Sequence, residues 1–405
     1  MVYKAVRIIL ISLLLAGCSG NWLNYRGSDG SGRTKTSIQP PLGVKWKLLL
    51  QDKDKIRESF NPPAVYGSSL YFGSADGNLY ALNIHSGYME WVFRTAGPIN
   101  SVPTADKNAV YIGSSDGFVY ALERMTGDLL WAFQTKAPVN STIVLHGDEV
   151  YAISDADALY CLSREGGELL WSLPNPIWLR NSFQINGDTV YFSPGPPEFS
   201  SSLACYNTAL HEYTWHLDTA LDIYNWYSFP VIKGDRLYYA ASGYFNGRWE
   251  YRFTCLDKNT GALLWERDDE AFLDERLDGL DSFIESTEQL DYLAPTLYKN
   301  RVYFTAGDMK LRTFHGKSGD LLWEKYFDQP LSGAPLVGGS RLFIGLKESE
   351  ELGLPGHLVC LNADNGRELW RMEIEGSLLS SPVISGKWLI FGTDRNLFYV
   401  LEEVF

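Results

Sequence analysis

The fold is decided by one stretch of the sequence, SVPTADKNAVYIGSSDGFVYALERMTGDLLWAF (residues 101–133), which holds four short apolar runs separated by polar turns. Within the runs, Val, Tyr, Phe, Leu and Trp alternate with period two, and Asp-Gly or Thr-Gly pairs bound them. This pattern is typical of short β-strands joined by hairpins. The stretch therefore predicts a four-stranded antiparallel meander, whose strands are named A to D.

The same stretch recurs about eight times, with a period of roughly 40 residues. A tryptophan closes each copy, and a glycine stands four residues earlier in six of the last seven copies; the copy ending at Trp215 has His211 there instead. The tryptophans are Trp46, Trp91, Trp131, Trp171, Trp215, Trp265, Trp323 and Trp370. A second repeated spacing marks the same copies: a proline stands eight residues before an aromatic or aliphatic strand residue. Examples are Pro63 before Tyr71 and Pro382 before Ile390.

The two ends of the chain complete each other. The last copy, Ser380 to Leu401, has three strands and no final tryptophan, whereas the segment Val44 to Leu48 is a fourth strand without its first three. A blade of this kind buries its two faces only against neighbouring blades, so the copies should close into a ring. The sequence predicts an all-β, eight-bladed β-propeller of four-stranded antiparallel blades. The strand around Trp46 closes the last blade and leaves no unpaired edge.

Two copies carry a resemblance to a known family. Ala121-Leu122 through Thr126-Gly127 to Trp131, and Cys255-Leu256-Asp257 through Thr260-Gly261 to Trp265, resemble the tryptophan-docking repeat of quinoprotein-type eight-bladed propellers. That family includes PQQ-dependent dehydrogenases and the non-enzymatic outer-membrane assembly lipoprotein BamB. The resemblance covers nearly everything after Pro41 and implies the fold, but not which of the two functions applies, because the repeat residues are packing residues.

The first residues predict export. Residues 1–17 contain Lys4, Arg7 and an apolar run too short to span a bilayer, and Leu15-Ala16-Gly17 precedes Cys18. This pattern predicts a lipoprotein signal peptide over 1–17 and lipidation of Cys18 at the periplasmic face of an outer membrane. The alternative is ordinary secretion with an unmodified Cys18. Residues 18–41 are expected to be a lipid-anchored tether, either free or docked on the propeller, and residues 42–405 the propeller itself.

Charge limits the class of partner. The formal net charge is −14, and the chain from Cys18 onward loses Lys4 and Arg7, so its balance is 33 minus 49, or −16. An acidic protein is repelled by nucleic acid and by anionic lipid head groups, so neither is an expected partner. We expect a monomeric ring.

Catalytic and metal-binding motifs are missing from the sequence. Cys161, Cys205, Cys255 and Cys360 each lie ten residues before their own tryptophan, which predicts one small buried position repeated in four blades. Equivalent positions of separate blades lie too far apart for a disulfide. No histidine pair has ligand spacing, and no Gly-x-Ser-x-Gly elbow or phosphate-binding loop is present. We therefore predict no catalytic residue and no metal site.

The copies differ in the lengths of their connections. The added residues fall in three B–C hairpins, near 193–202, 242–251 and 346–357, and in the D–A connector after Trp265. In a propeller these connections emerge on one face, so every insertion is predicted to decorate the same side. Loops on a rigid scaffold commonly carry binding function.

The connector after Trp265 is the most charged segment. Residues 266–291 hold eleven acids and two bases, a balance of −9. The segment is predicted to bind a partner through Asp268, Asp269, Glu270, Asp274, Glu275, Asp278 and Asp281. Leu273, Leu277, Leu280 and Ile284 recur at helical spacing, so the segment is either a short amphipathic helix or a solvated disordered loop.

A second candidate site lies at the mouth of the central channel. Stacking and hydrogen-bonding groups for a flat ligand are predicted at Trp178, Arg180, Asn181, Asn225 and Trp226. Asn100-Ser101 and Asn140-Ser141 occupy the same positions in other blades. The alternative is that these polar residues only satisfy the ends of strands.

Three functions follow. The first is a non-catalytic, BamB-like envelope protein that supports outer-membrane protein assembly by presenting its loops to another envelope protein, such as the outer-membrane insertase complex. The second is a quinoprotein-like oxidoreductase that binds PQQ and calcium in the channel. Against it stand the absence of an adjacent Cys-Cys pair and of long catalytic insertions. The third is a propeller that binds a small molecule or glycan.

Overall fold

The computed structural model describes residues 21–27, 30–50, 61–155, 157–174, 183–192, 202–218, 226–245, 248–272, 294–349, 353–378 and 380–404. These residues form eight antiparallel sheets, one for each predicted blade. Each sheet follows the order A, B, C, D, as hairpins of adjacent strands require. The predicted all-β, eight-bladed propeller is confirmed.

In each of the first four blades, the four strands follow one another directly along the chain. Blade 1 consists of β3 (Ala64–Tyr66), β4 (Ser69–Gly73), β5 (Asn78–Asn83) and β6 (Met89–Arg94). Blade 2 consists of β7 (Thr104–Ala105), β8 (Ala109–Gly113), β9 (Phe118–Glu123) and β10 (Leu129–Gln134). Blade 3 consists of β11 (Val144–His146), β12 (Glu149–Ser154), β13 (Ala158–Ser163) and β14 (Leu169–Pro174). Blade 4 consists of β15 (Phe183–Ile185), β16 (Thr189–Phe192), β17 (Ser202–Asn207) and β18 (Glu212–Asp218).

Blade 5 has longer B and C strands and blade 7 a longer A strand than the first four blades, and strand A of blade 5 is split in two. Blade 5 consists of β19 (Trp226–Tyr227), β20 (Val231–Lys233), β21 (Arg236–Phe245), β22 (Arg248–Asp257) and β23 (Leu263–Glu270). Blade 6 consists of β24 (Thr296–Tyr298), β25 (Arg301–Phe304), β26 (Lys310–His315) and β27 (Leu321–Tyr326). Blade 7 consists of β28 (Leu331–Gly338), β29 (Arg341–Leu346), β30 (Gly356–Asn362) and β31 (Glu368–Ile374), and β1 (Arg33–Thr34) pairs with β28 in parallel.

Blade 8 is built from both ends of the chain. Its strands are β32 (Val383–Ser385), β33 (Trp388–Gly392), β34 (Leu397–Glu403) and β2 (Leu42–Leu49). Strand β2 lies antiparallel to β34, with Trp46 opposite Val400. The predicted ring closure by the strand around Trp46 is confirmed.

The repeated glycine and tryptophan meet between blades. A Cβ atom on Gly127 would lie 2.6 Å from the ring of Trp91 in the preceding blade, so only glycine fits there. The same contact joins Gly87 to Trp46, Gly167 to Trp131, Gly261 to Trp215, Gly319 to Trp265 and Gly366 to Trp323. The tryptophan of one blade thus packs on the C–D turn of the next, which explains the fixed spacing in the sequence.

The repeated cysteines are buried free thiols, as predicted. In each of the four blades the cysteine of strand C lies opposite the tryptophan of strand D, as Cys161 does opposite Trp171. Burial raises the pKa of Cys161 and of Cys360 to about 12 and that of Cys205 to about 11. The thiols therefore fill the core and are poor nucleophiles at neutral pH.

Candidate functional site

The propeller has two distinct faces. The loop face carries the B–C and D–A connections, which lie together because Thr95 N donates to Gly77 O within blade 1 and Ala96 N to Asp116 Oδ2 of blade 2. The turn face carries the A–B and C–D turns, which are joined by bonds such as Arg124 N to Asn108 O, 2.9 Å. A candidate site can be assigned to one face or the other on this basis.

The insertions that the structure describes lie on the loop face. Strands β21 and β22 each span ten residues, against the five and six of β8 and β9 in blade 2. The added length extends the B–C hairpin of blade 5, and β23 follows it as far as the pair Glu250–Glu270. In blade 7 a bridge between Ser349 and Leu354 extends the corresponding hairpin. The predicted hairpin near 193–202 lies almost entirely outside the described residues.

A buried charge cluster lies where the acidic segment leaves blade 5. Arg312 of blade 6 is 1% exposed, and its guanidinium contacts Asp308 Oδ2 at 2.7 Å and Asp269 Oδ2 at 2.6 Å. Lys310 Nζ lies 2.7 Å from the same oxygen of Asp269 and 3.2 Å from Glu324 Oε2. The acidic segment and blade 6 are therefore joined by ion pairs that little water reaches.

Mutual pairing keeps this cluster ionised. Burial alone would lower the pKa of Arg312, but Asp308 and Asp269 outweigh it and raise that pKa above its usual value. Burial alone would raise the pKa of Asp269, but Arg312 and Lys310 hold it below its usual value. Asp269 is thus a charged structural group.

The cluster also fixes the backbone of the departing segment. Arg312 Nη2 donates to Glu270 O at 3.1 Å, and Phe272 N donates to Asp308 Oδ2 at 2.9 Å. Met309 N completes the junction by donating to Phe272 O at 2.9 Å. Residues 270 and 272 are therefore held in a defined position on the loop face.

The structure brings three of the predicted partner-binding acids together on β23. Asp268 is exposed and pairs with Arg252 at 2.8 Å, and Glu270 is exposed beside it. Asp269 instead points into the charge cluster. Sequence reasoning missed Arg312, although a cation inside a strand rich in core residues was a signal for it. The other four predicted acids, Asp274, Glu275, Asp278 and Asp281, lie outside the described residues.

At the channel mouth the described polar residues bond to one another. Asn140 Nδ2 donates to Asp155 Oδ2 at 2.6 Å, while its oxygen accepts from Ser115 Oγ at 2.7 Å and from Asn100 Nδ2 at 3.2 Å. Ser101 Oγ donates to Gly113 O and accepts from Gly113 N. In blades 2 and 3 these groups satisfy strand ends, which was one of the two alternatives.

The five residues predicted for a channel ligand belong to blades 4 and 5. Trp178, Arg180, Asn181 and Asn225 lie outside the described residues. Trp226 belongs to β19, whose backbone pairs with β21 opposite Ser242. A ligand at this part of the mouth stays a prediction.

The described parts of the segment that precedes the ring, residues 21–27 and 30–38, contact A strands on both sides of the channel. Trp22 exchanges two backbone hydrogen bonds with Val65 in strand A of blade 1, and Leu23 O accepts from Ala105 N in strand A of blade 2. On the opposite side of the channel, Ser31 O accepts from Leu297 N of blade 6 and Gly32 O from Val337 N of blade 7. Of the two alternatives for this segment, docking on the propeller is confirmed.

Side chains of the same segment pack against several blades. Arg26 is 1% exposed, and its Nη2 donates to Pro295 O and to Thr296 Oγ1, both at 2.7 Å. Tyr25 packs edge-on against Phe229 of blade 5, and Ile38 is fully buried in the core cluster that contains Ile384 of blade 8. These contacts lie toward the turn-face ends of the A strands, so the segment covers the channel on that side.

Catalytic geometry is not found in the described part of the chain. No group of three or more His, Cys, Asp or Glu residues there has an arrangement that could hold a metal ion. His85 packs edge-on against Trp388, and His315 bonds to Ser318 in its own turn. The described residues of the mouth therefore do not form a calcium site for PQQ. Among the described residues no helix is long and apolar enough to cross a membrane.

Comparison with known proteins identifies relatives of this fold. The family model described as outer membrane protein assembly factor BamB matches residues 43–143, 115–238, 200–352 and 318–403. The quinoprotein alcohol dehydrogenase PedH of Pseudomonas putida is 27% identical over 155 residues, which are 37% of this chain and 23% of the dehydrogenase. The chain thus matches less than a quarter of that relative's length.

Solved structures from both branches have a similar fold. BamB from Moraxella catarrhalis superposes with a TM-score of 0.64 at 15% identity, covering 89% of this chain and 99% of that one. A europium-containing methanol dehydrogenase superposes with a TM-score of 0.69 at 13% identity, covering 95% and 98%. At these identities the similarity shows the fold alone.

Proposed function

Because the chain belongs to the family of the outer membrane protein assembly factor BamB, we propose that it is a non-catalytic, lipid-anchored envelope protein whose loop face binds another envelope protein. The proposed anchor is Cys18, at the periplasmic face of the outer membrane, and the proposed partner is the outer-membrane insertase complex. The acids of the segment 268–281 supply the binding charge.

The observation that carries this proposal is the grouping of insertions on the loop face. The extended hairpin β21–β22 pairs with β23, which carries the described start of the acidic segment, and the hairpin projects from a ring otherwise built of short strands. Paired strands that extend beyond a sheet can add a partner's strand, and a segment with a balance of −9 attracts a basic surface.

The position of the first described residue supports the anchor. Asn21 Oδ1 accepts from Gly67 N in the A–B turn of blade 1, on the turn face. Cys18 lies three positions earlier in the chain, a reach of at most about 11 Å. A lipid on Cys18 would hold the turn face toward the membrane, so the loop face would point into the periplasm toward a partner.

Co-purification from membranes tests the proposal. The full chain is compared with a variant carrying Asp274→Asn, Glu275→Gln, Asp278→Asn and Asp281→Asn, and with a control carrying four neutralised acids of the turn face, Asp128→Asn, Asp148→Asn, Glu165→Gln and Asp188→Asn. We expect the first variant to lose the insertase and the control to retain it. Equal recovery with both variants would remove the loop face as the binding surface. Asp269 is left intact because Arg312 depends on it.

A quinoprotein-like oxidoreductase is the second candidate, favoured by the PedH match. Titration of the purified protein with PQQ and calcium distinguishes the two functions. Saturable changes in PQQ absorbance that require calcium would support the enzyme, whereas unchanged spectra would eliminate it.

A further inference from the structure

The turn face of blades 5 and 6 contains a crevice that the repeat does not predict. Its volume is about 470 Å³, and it lies between the A–B turns of the two blades and the C–D turn of blade 6. Five basic side chains line it against two acidic ones, Asp235 and Asp257. The basic residues are Lys233, Arg236, Lys299, Arg301 and Lys317. A local excess of positive charge is unusual on a chain whose formal net charge is −14.

Other blades show what normally occupies this position. The first residue of each C–D turn donates its backbone N–H to the A–B turn of the same blade, as Arg124 does to Asn108, Arg164 to Asp148 and Gly316 to Asn300. These three residues are therefore structurally equivalent.

In blades 2, 3 and 5 a cationic side chain at this position enters the cleft to the preceding blade. Arg124 lies over the ring of Tyr66 at 4.6 Å, and Arg164 Nε donates to Asp106 Oδ2 at 2.9 Å. In blade 5, Lys258 Nζ donates to Asn186 Oδ1 at 2.7 Å. In each of these clefts the protein supplies its own cation and a partner for it.

In blade 6 the residue is Gly316, so no side chain of the C–D turn enters the cleft, which Lys233 of blade 5 crosses by donating from Nζ to Lys299 O. A Cβ atom there would lie 3.2 Å from Tyr238 Oη and 3.4 Å from Asn300 O, which is tight but leaves room for a side chain to extend into the crevice. The crevice is the space that the arginines fill in blades 2 and 3. Basic residues line the walls of the crevice, but position 316 has no side chain to extend between them.

The cations on the walls are only partly paired, and Lys299 Nζ lies 3.1 Å from Asp364 Oδ1 of blade 7. Arg301 pairs with Asp364 through Nη1 at 3.2 Å, but its buried Nε has no hydrogen-bond partner among the described residues. Arg236 contacts Cys255 Sγ at 3.7 Å, and within the described part of the chain neither Arg236 nor Lys317 forms an ion pair with a carboxylate. A buried N–H donor and unpaired cations beside a cavity favour an anion as its occupant.

We propose that this crevice binds a phosphate group carried by a small molecule or by a lipid head group. Lys and Arg side chains from two blades line it, which suits a multiply charged tetrahedral group. The volume lies within the range of small-ligand pockets and exceeds that of a bare ion. The lipid source rests on the proposed anchor at Cys18, because only an anchored chain would hold the turn face against a membrane. The crevice itself is independent of the loop face.

Binding is measured on the full chain with Cys18→Ser, so that no lipid of its own contributes. Calorimetric titrations use glycerol 3-phosphate, inorganic phosphate, and vesicles of phosphatidylglycerol or of phosphatidylcholine at constant ionic strength. We expect saturable binding of glycerol 3-phosphate or of phosphatidylglycerol vesicles, but not of phosphatidylcholine vesicles. The first result assigns a soluble ligand and the second a lipid head group.

Variants locate the binding. Gly316→Arg rebuilds the side chain of blades 2 and 3 and should weaken binding at least tenfold while the circular dichroism spectrum is kept. The double variant Arg236→Gln, Lys317→Gln should also weaken binding at least tenfold. It tests the proposal if Gly316→Arg does not fold. Lys387→Gln, an exposed cation on the turn face of blade 8, should leave binding unchanged. Absence of binding by the wild type, or equal losses in the Lys387 control, would overturn the proposal.

Discussion

The indole of Trp171 meets the imidazole of His211 edge-on, with ring centroids 5.3 Å apart. Six other tryptophans of the ring pack on a glycine of the next blade, and His211 stands where that glycine is missing. His211 keeps the left-handed backbone of the glycines, with φ of 54°. The turn conformation is therefore conserved around the ring even where its usual residue is not, and an aromatic edge replaces the close backbone contact.

The glycine contact can be tested at Gly127. Gly127→Ala places a Cβ atom 2.6 Å from Trp91 in a backbone with φ of +76°, so we expect a loss of about 2–4 kcal/mol in unfolding free energy. Gly147→Ala is the control, because its φ is also positive but nothing lies within 4 Å of the new atom. The control substitution should lower the unfolding free energy by about 1–2 kcal/mol. Equal urea midpoints for the two variants would show that backbone strain alone sets the glycine preference.

Removing the buried guanidinium should be costly. Arg312→Met leaves the fully buried Asp308 without its cation and leaves Asp269 with Lys310 alone, so we expect a loss of about 3–5 kcal/mol in unfolding free energy. Arg252→Met removes a cation from an exposed pair and should cost about 1 kcal/mol or less. Both values come from chemical denaturation. If the Arg312 variant is as stable as the Arg252 variant, the cluster does not hold the acidic segment to blade 6.

The same cluster predicts acid sensitivity. Arg312 and Lys310 lower the pKa of Asp269 against the effect of burial, so its charged form stabilises the folded state above the unfolded pKa of about 4. That contribution is lost as the pH falls through the lowered pKa. Asp394 contributes to the pH dependence of stability with the opposite sign. Burial raises its pKa, so its ionisation destabilises the folded state.

Urea midpoints between pH 6 and pH 2.5 check this assignment. Asp269→Asn should reduce the acid-induced loss of stability relative to the wild type, whereas Asp394→Asn should increase it. A steeper pH profile for Asp269→Asn would contradict the assignment of a lowered pKa to that carboxyl.

The segment across the channel should be integral to the ring. Trp22 is 3% exposed in the core cluster of blades 1 and 8, so Trp22→Ala should cost about 3–5 kcal/mol. Leu23→Ala, at a neighbouring partly exposed position, should cost less than Trp22→Ala. If the Trp22→Ala variant unfolds at the same temperature as the wild type, the segment adds no stability to the fold.

The repeat made the architecture predictable because blade packing repeats with it. Trp46 and Val400 could be paired from sequence, since an incomplete first copy and an incomplete last copy complement each other. The buried cysteines followed from the same register. In both cases a fixed distance along the chain corresponds to a fixed position in a blade.

The candidate sites were less predictable because they depend on departures from the repeat. The cluster of Arg312 with Asp269 joins two blades through side chains 43 residues apart, and no spacing rule specifies that pair. The crevice arises from one absent side chain at Gly316, which becomes visible only when the turns are superposed. The path of residues 21–38 depends on contacts with several blades, so Trp22 and Tyr25-Arg26-Gly27 indicated that the segment could dock, but not where.

Closure of blade 8 by β2 and β34 has a consequence for biogenesis. The pairing of Trp46 with Val400 joins residues more than 350 positions apart, and bringing the ends of so long a chain together costs about 5 kcal/mol of entropy. The ring cannot be completed until residues 397–403 have been synthesised and have crossed any membrane that the chain must cross. Until then β2 and β33 both lack the strand that joins them, so a polypeptide truncated before β34 would be left with an open seam and exposed to proteases.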